Sequence, residues 1–63
     1  MWQWHKTASA EHEELWQQRL SNYPGTVISA GFQADRIAID VYTETAEEAL
    51  VLQACYGGNA CAL

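Results

Sequence analysis

The chain has few cations and no long apolar run. Among its 63 residues, three Lys or Arg stand against eight Asp or Glu, which gives a net charge of −5. So few cations argue against direct binding to nucleic acid or to an anionic membrane surface. No apolar run approaches the ~20 residues of a membrane-spanning helix, and the start lacks the pattern of a secretory signal. We therefore expect a cytoplasmic protein.

Cysteine is also scarce. Cys55 and Cys61 are the only two, too few for a disulfide framework, and their spacing is not the C-x-x-C of zinc or redox sites. We expect two buried, small apolar side chains in a reducing compartment. A disulfide between them is the alternative.

What the chain does contain is apolar and aromatic. The hydrophobic fraction is 49%, with three tryptophans, three tyrosines and one phenylalanine, which indicates a packed core. For this length, apolar burial contributes on the order of 90 kcal/mol and chain ordering costs about as much. We expect one domain over residues 1–63, with a core that is well packed or supported by a partner or a second copy.

The first half of the sequence predicts a strand, a helix and a second strand. Residues 1–7 alternate Trp2 and Trp4 with polar side chains, as a half-buried strand does. Ser9 is a predicted helix N-cap, followed by acidic residues that suit the positive end of the helix dipole. The predicted buried side of this helix carries Leu15, Trp16 and Leu20. The run 21–25, with Pro24 and Gly25, ends the helix, and the β-branched segment 26–30 predicts the next strand.

The clearest strand is 36–43, reached through a predicted hairpin connection at 31–35. Its residues alternate strictly between two faces. Ile37, Ile39 and Val41 fall on one face. Ala38, Asp40 and Tyr42 fall on the other. An antiparallel sheet with helices on one side shows this pattern.

The last third predicts a capped helix and a short final strand. Thr45 and Glu48 have the spacing of a capping box. The helix continues through apolar residues and ends at Gly57-Gly58, where Gly57 suits a left-handed cap; residues 59–63 then predict a last strand. The apolar helix positions are Ala49, Leu50, Leu52, Ala54 and Cys55.

This order of elements is βαββαβ, the split βαβ arrangement. We therefore predict an α+β, ferredoxin-like fold, with an antiparallel sheet and two helices on one face.

The sequence offers few candidates for chemistry. Residues 11–14 (Glu-His-Glu-Glu) could suggest a metal site, but a solvated first turn that compensates the helix dipole is the favoured interpretation. His5 has no matched carboxylate or nucleophile in the pattern. Gly57-Gly58 follows a helix and does not open one, which favours a helix stop over a phosphate loop. We predict no catalytic, cofactor-binding or metal-binding residue in this chain.

The aromatic residues leave two interpretations. Trp2, Trp4 and Tyr42 could form a base-stacking platform on the open sheet face. The acidic charge opposes this, and exposed tryptophans would weaken so small a core. We therefore place Trp2, Trp4 and Trp16 in the core. The open face then carries a candidate protein-binding set: Gln3, His5, Asp40 and Tyr42.

Three segments resemble a known family. They are the opening 1–6 (Met-Trp-Gln-Trp-His-Lys), the strand-to-helix junction 41–47 (Val-Tyr-Thr-Glu-Thr-Ala-Glu) and 56–58 (Tyr-Gly-Gly). In these the chain resembles the N-terminal domain of bacterial methyltransferases that modify a large-subunit ribosomal protein. The resemblance implies a ferredoxin-like domain that holds the protein substrate. It also implies a separate domain, beyond a linker, that binds S-adenosylmethionine and transfers the methyl group.

The resemblance implies that this chain is the N-terminal part of a longer protein. It carries no glycine-rich loop between a strand and a helix, so we expect no cofactor site within it. The resemblance implies a ribosomal protein as the partner, and the acidic charge of the chain suits a basic one. The alternative is a stand-alone regulatory or ligand-binding module that acts as a homodimer.

Overall fold

The elements follow the order strand, helix, strand, strand, helix, strand. A computed structural model describes residues 1–31 and 33–63. The elements are β1 (Trp2–Ser9), a 3-10 turn (Ala10–His12), α1 (Glu13–Arg19), β2 (Val27–Ala30), β3 (Arg36–Thr43), α2 (Ala46–Tyr56) and β4 (Asn59–Ala62). The chain is therefore a small α+β protein, as the sequence predicts.

The four strands form one antiparallel sheet in the order β2-β3-β1-β4. Its centre is the long pair β1–β3, whose register runs from Trp2 opposite Thr43 to Ser9 opposite Arg36. The short strands β2 and β4 form the two edges. The predicted final strand is confirmed, since β4 pairs with β1.

The core lies on one face of this sheet. Ile37, Ile39 and Val41 of β3 are buried there, as predicted, and Trp4 of β1 lies directly opposite Val41. Helix side chains complete the same cluster: Trp16 and Leu20 from the α1 segment, Leu52 from α2. The buried Trp4 ring still has a hydrogen-bond partner, because its Nε1–H donates to the carbonyl of Gly57 at 2.7 Å.

The first helix differs from its prediction. β1 extends to Ser9, whose hydroxyl makes no capping bond, and a 3-10 turn precedes α1. The cause is strand pairing between β1 and β3. Ser9 pairs with Arg36, and the amide of Ala10 donates to the carbonyl of Asp35, so the chain stays extended through Ser9. Leu15 is 40% exposed and not part of the buried face.

Thr45 is the N-cap of α2, as predicted, and its Oγ1 accepts from the Glu48 amide at 3.3 Å. The other half of the capping box differs, since the Glu48 carboxylate accepts from the Thr45 hydroxyl at 3.1 Å. Gly57 ends the helix with φ +79° and ψ −153°. The positive φ agrees with the left-handed cap predicted for Gly57, but the ψ value lies outside the left-handed helical region.

Trp2, predicted in the core, is more exposed than expected, and not every apolar residue of α2 is buried. In α2, Ala49 and Leu52 are buried, whereas Leu50 is half exposed. Trp2, at the end of β1, is only partly buried. Ala54 of α2 is also exposed.

The prediction of buried cysteines is wrong. Cys55 and Cys61 are both exposed, and both are free thiols. Cys55 lies near the end of α2 on its outward side, and Cys61 lies on the edge strand β4. In α2 and β4, the small apolar character of cysteine therefore did not predict burial.

The hairpin between β2 and β3 is present, with Ala30 opposite Ile37. The predicted connection 31–35 includes Phe32, which lies outside the described residues.

Within residues 1–31 and 33–63, neither helix has the length and apolar character needed to cross a bilayer.

Candidate functional site

The candidate site is the sheet face opposite the helices. Gln3 pairs with Tyr42, and His5 pairs with Asp40. These positions alternate with the buried ones on both strands, so their side chains point away from the core. The register thus brings all four predicted residues onto one face, which we call the open face.

A hydrogen-bonded trio lies at the centre of the open face. The Gln3 side-chain amide donates to Asp40 Oδ1 at 2.8 Å, and His5 Nδ1 lies 2.8 Å from the same oxygen. A carboxylate oxygen only accepts, so we assign the hydrogen of this contact to Nδ1 of the ring. Asp40 therefore holds both neighbours in fixed orientations. His5 Nε2 is the ring nitrogen that this contact leaves available.

The trio is partly exposed. The His5 side chain is 45% exposed and that of Asp40 is 22% exposed. Because water screens such a pair, its contribution to stability is small. The trio therefore contributes little to holding the fold together and leaves oriented polar groups at the surface.

The edge strands add residues that the sequence analysis missed. Val27 of β2 lies opposite Asp40 and is half exposed. On β4, Cys61 lies opposite Gln3, and Asn59 lies opposite His5. Alternation along the strand is the sequence signal that could have identified these residues. In strands of four residues, however, the alternation is too short to show which side chains face the core.

Two clefts lie at opposite ends of the open face. One, of about 500 Å³, includes His5, Thr7, Arg36 and Ala38 in its lining. The other, of about 440 Å³, lies where β3 ends, and we call it the tyrosine–glutamate cleft. Its lining includes Tyr23, Pro24, Tyr42, Glu44 and Glu48.

The turn that forms one wall of the tyrosine–glutamate cleft is well held. The Thr26 amide and hydroxyl both donate to the carbonyl of Tyr23, at 3.2 and 2.9 Å. Gly25 packs so closely on Tyr42 that a Cβ placed there would lie 2.9 Å from the Tyr42 carbonyl oxygen. Only glycine permits this approach without a shift of the turn.

The cations lie away from this cleft. The Arg19 guanidinium carbon lies 5.1 Å from the centroid of the Trp16 ring, and Lys6 Nζ lies 6.0 Å from it. These distances are typical of cation–π contacts on the helix side of the sheet. Arg36 lines the cleft at the other end. The two ends of the open face therefore differ in charge.

The acidic turn of residues 11–14 forms one exposed contact, in which His12 Nε2 lies 3.6 Å from Glu11 Oε1. Within the part of the chain that the structure describes, no three His, Cys, Asp or Glu side chains are grouped to hold a metal ion.

No protein-family model, curated protein or solved structure matches this chain.

Proposed function

We propose that this chain is a protein-recognition module that binds a basic protein through the open face. The observation that carries the proposal is the trio Gln3–Asp40–His5, which presents oriented polar groups on a face that the helices leave uncovered. Tyr42, 38% exposed on the same face, adds an aromatic contact of the kind enriched at protein interfaces.

We further propose a ferredoxin-like arrangement for the fold. The strand order β2-β3-β1-β4 and the antiparallel pairing of neighbours support it, together with the βαββαβ order of elements. The long central pair then provides the contact surface, and the short edge strands extend it.

The charge supports a basic partner. The chain carries −5 overall, and opposite charge accelerates encounter at low ionic strength. The resemblance to the N-terminal domain of ribosomal protein methyltransferases suggests a large-subunit ribosomal protein as that partner. On this proposal, S-adenosylmethionine and methyl transfer belong to a separate domain.

The proposal is tested by titrating the 63-residue chain with basic large-subunit ribosomal proteins, one at a time, at low and high salt. We expect one of them to bind at low salt and to bind more weakly at high salt. The double variant His5→Ala/Asp40→Asn removes the trio and should abolish most of the binding. Glu11→Gln, on the exposed turn before α1, is the control for charge alone. Absence of binding at low salt would refute the proposal.

A second candidate is a stand-alone module that acts as a homodimer. The observation that favours it is an apolar outward side of α2, where Leu50 and Val51 are each about half exposed (50% and 48%). Sedimentation over a range of concentrations separates the two candidates. A dimer that Leu50→Lys dissociates would support this candidate, and a monomer at all concentrations would exclude it.

A further inference from the structure

We infer that two copies of this chain pair through the free edge of β2, so that their two sheets form one continuous antiparallel sheet. Two observations carry this inference: β2 has unbonded backbone groups along its outer edge, and a side chain occupies the edge at β4. Pairing at an edge leaves the open face uncovered, so this inference goes beyond the proposed function and does not require it. The surface also differs from the outward side of α2.

The backbone hydrogen bonds show which groups of β2 point away from the sheet. The Gly31 amide donates to the Arg36 carbonyl at 2.8 Å, and the β2–β3 register continues from this pair. Every second residue of an antiparallel strand bonds to the same neighbour, so Ser29 also bonds to β3. The amides and carbonyls of Ile28 and Ala30 therefore point outward. No residue that the structure describes bonds to these outward groups.

The β2 edge lacks the features with which proteins protect a free strand. Its sequence, Val-Ile-Ser-Ala, carries neither charge nor proline, and such an edge is a template for another strand. The helices leave room beside it, since a groove of about 260 Å³ on the helix side has Leu20, Tyr23 and Ile28 in its lining. An added strand can therefore place side chains on that side of the sheet.

The opposite edge, at β4, is partly occupied. The Leu63 amide donates to the Met1 carbonyl, so the alternate amides, of Ala60 and Ala62, point outward. The Gln53 side chain of α2 accepts from the Ala60 amide at 3.0 Å, and a strand that paired there would displace it. With one open edge and one occupied edge, pairing stops at two copies and does not continue into a fibre.

β2 is complementary to itself in one two-fold register. When Ser29 lies opposite Ser29 of the second copy, Ile28 of each copy lies opposite Ala30 of the other. Every outward amide of β2 then meets an outward carbonyl of the second β2. A shift by two residues would pair only one of the two outward positions with the second β2. The symmetric register therefore satisfies the edge best.

The same register aligns opposite charges on the open face. Across the strands, Arg36 and Gly31 of one copy fall in one row with Val27 and Asp40 of the second copy. Three strand spacings separate the Cα atoms of Arg36 and Asp40, about 14 Å. Gly31 has no side chain, so the long arginine side chain can extend toward the carboxylate. The two-fold axis repeats this attraction, which favours a second copy as the strand that pairs here.

The test is sedimentation of the 63-residue chain over a range of concentrations, beside Ala30→Pro. Proline at this position removes an outward amide and leaves the bonds to β3 intact. We expect the unaltered chain to dimerise and Ala30→Pro to weaken dimerisation about ten-fold or more, because one hydrogen bond is lost from each copy. Ala62→Pro removes an outward amide at the β4 edge and should leave dimerisation unchanged.

Two results would overturn the inference. One is a monomer at every concentration, and the other is an equal loss of dimerisation with Ala30→Pro and Ala62→Pro. Dispersed amide spectra of both variants establish that each is folded.

A cross-link tests the register without disturbing the backbone. In a chain with Cys55→Ser and Cys61→Ser, Ser29→Cys places one thiol from each copy on the two-fold axis. The Cα atoms of such a pair lie about 4.5 Å apart, within the range of a disulfide. Oxidised glutathione should convert most of this variant to a linked dimer. Val27→Cys, half exposed on the same face, is the control and should form little dimer; equal yields would refute the register.

The result is separable from both candidate functions. A dimer that Leu50→Lys dissociates and Ala30→Pro does not would mean pairing through α2, and the β2 inference would fail. A β2 dimer that binds no basic ribosomal protein would refute the proposed function and leave the β2 inference intact. Binding of a ribosomal protein by a chain that is monomeric at every concentration would have the opposite meaning.

Discussion

The two faces of the sheet are built from the same strands but differ in what their side chains contact. On the helix side, Trp4 and Val41 are fully buried among apolar neighbours. On the open face, one residue earlier on each strand, Gln3 and Asp40 make polar contacts at a partly exposed surface. On the proposed function, stability and recognition belong to alternate residues of the same strands, so substitutions on the two faces should have separable effects.

The largest expected effect comes from removing Trp4. Trp4→Ala should lower the free energy of unfolding by about 3–5 kcal/mol, since it leaves a cavity in the core. It also removes the Nε1–H bond to Gly57. The neighbouring change Gln3→Ala should cost less than ~1 kcal/mol. Urea unfolding, followed by far-ultraviolet circular dichroism, measures both; similar losses would contradict the division between faces.

A somewhat smaller effect is expected at Gly58, which joins α2 to β4. Its φ is +78°, and an added Cβ would lie 2.5 Å from the His5 carbonyl oxygen. Gly58→Ala should therefore cost about 3 kcal/mol, from backbone strain and steric overlap together.

Gly57 is the matched control for this position. Its φ is +79°, but an added Cβ would meet only Lys6 Nζ, at 3.8 Å. Gly57→Ala should then cost about 2 kcal/mol from strain alone. Thermal unfolding of the two variants compares them, and a larger loss for Gly57→Ala would show that crowding beside β1 is unimportant.

The helix cap on the covered side has a more modest role. Thr45→Ala removes the oxygen that accepts from the Glu48 amide and should cost about 1 kcal/mol. Thr45→Ser retains that oxygen and should recover most of the loss. If serine and alanine were equally destabilising, the cap hydrogen bond would not be the cause.

The smallest effect on stability is expected on the open face. Asp40→Asn weakens the contacts to Gln3 and His5 but should change the free energy of unfolding by only about 0.5 kcal/mol, because water already screens the trio. The same variant should bind the basic partner clearly more weakly. Calorimetric binding beside urea unfolding compares the two quantities, and a large loss of stability with normal binding would reverse the assigned role.

Sequence reasoning predicted the parts whose local pattern and packing agree. In β3, the alternation of Ile37, Ile39 and Val41 with polar residues is long enough to fix which face is buried. Thr45 was identifiable as a helix cap because its capping partner, Glu48, lies only three residues further along the chain. The predicted open-face residues followed from the same alternation, combined with the placement of Trp4 in the core.

Other features depend on the assembled sheet. Ser9 lost its predicted capping role because pairing with Arg36 keeps it in β1. Leu15 has the spacing of a core residue but is 40% exposed, whereas Trp16 and Leu20, predicted on the same face, are buried. The tyrosine–glutamate cleft joins a turn, a strand end and a helix start, and no local pattern shows that these meet.

The account is tested most directly by mapping where a bound basic ribosomal protein changes the amide signals of this chain. The predicted changes lie on the open face, at Gln3, His5, Asp40 and Tyr42, with the outward sides of α1 and α2 unaffected. Changes concentrated on the helices, with the open face unaffected, would contradict the central claim that the helix-free face of the sheet is the recognition surface.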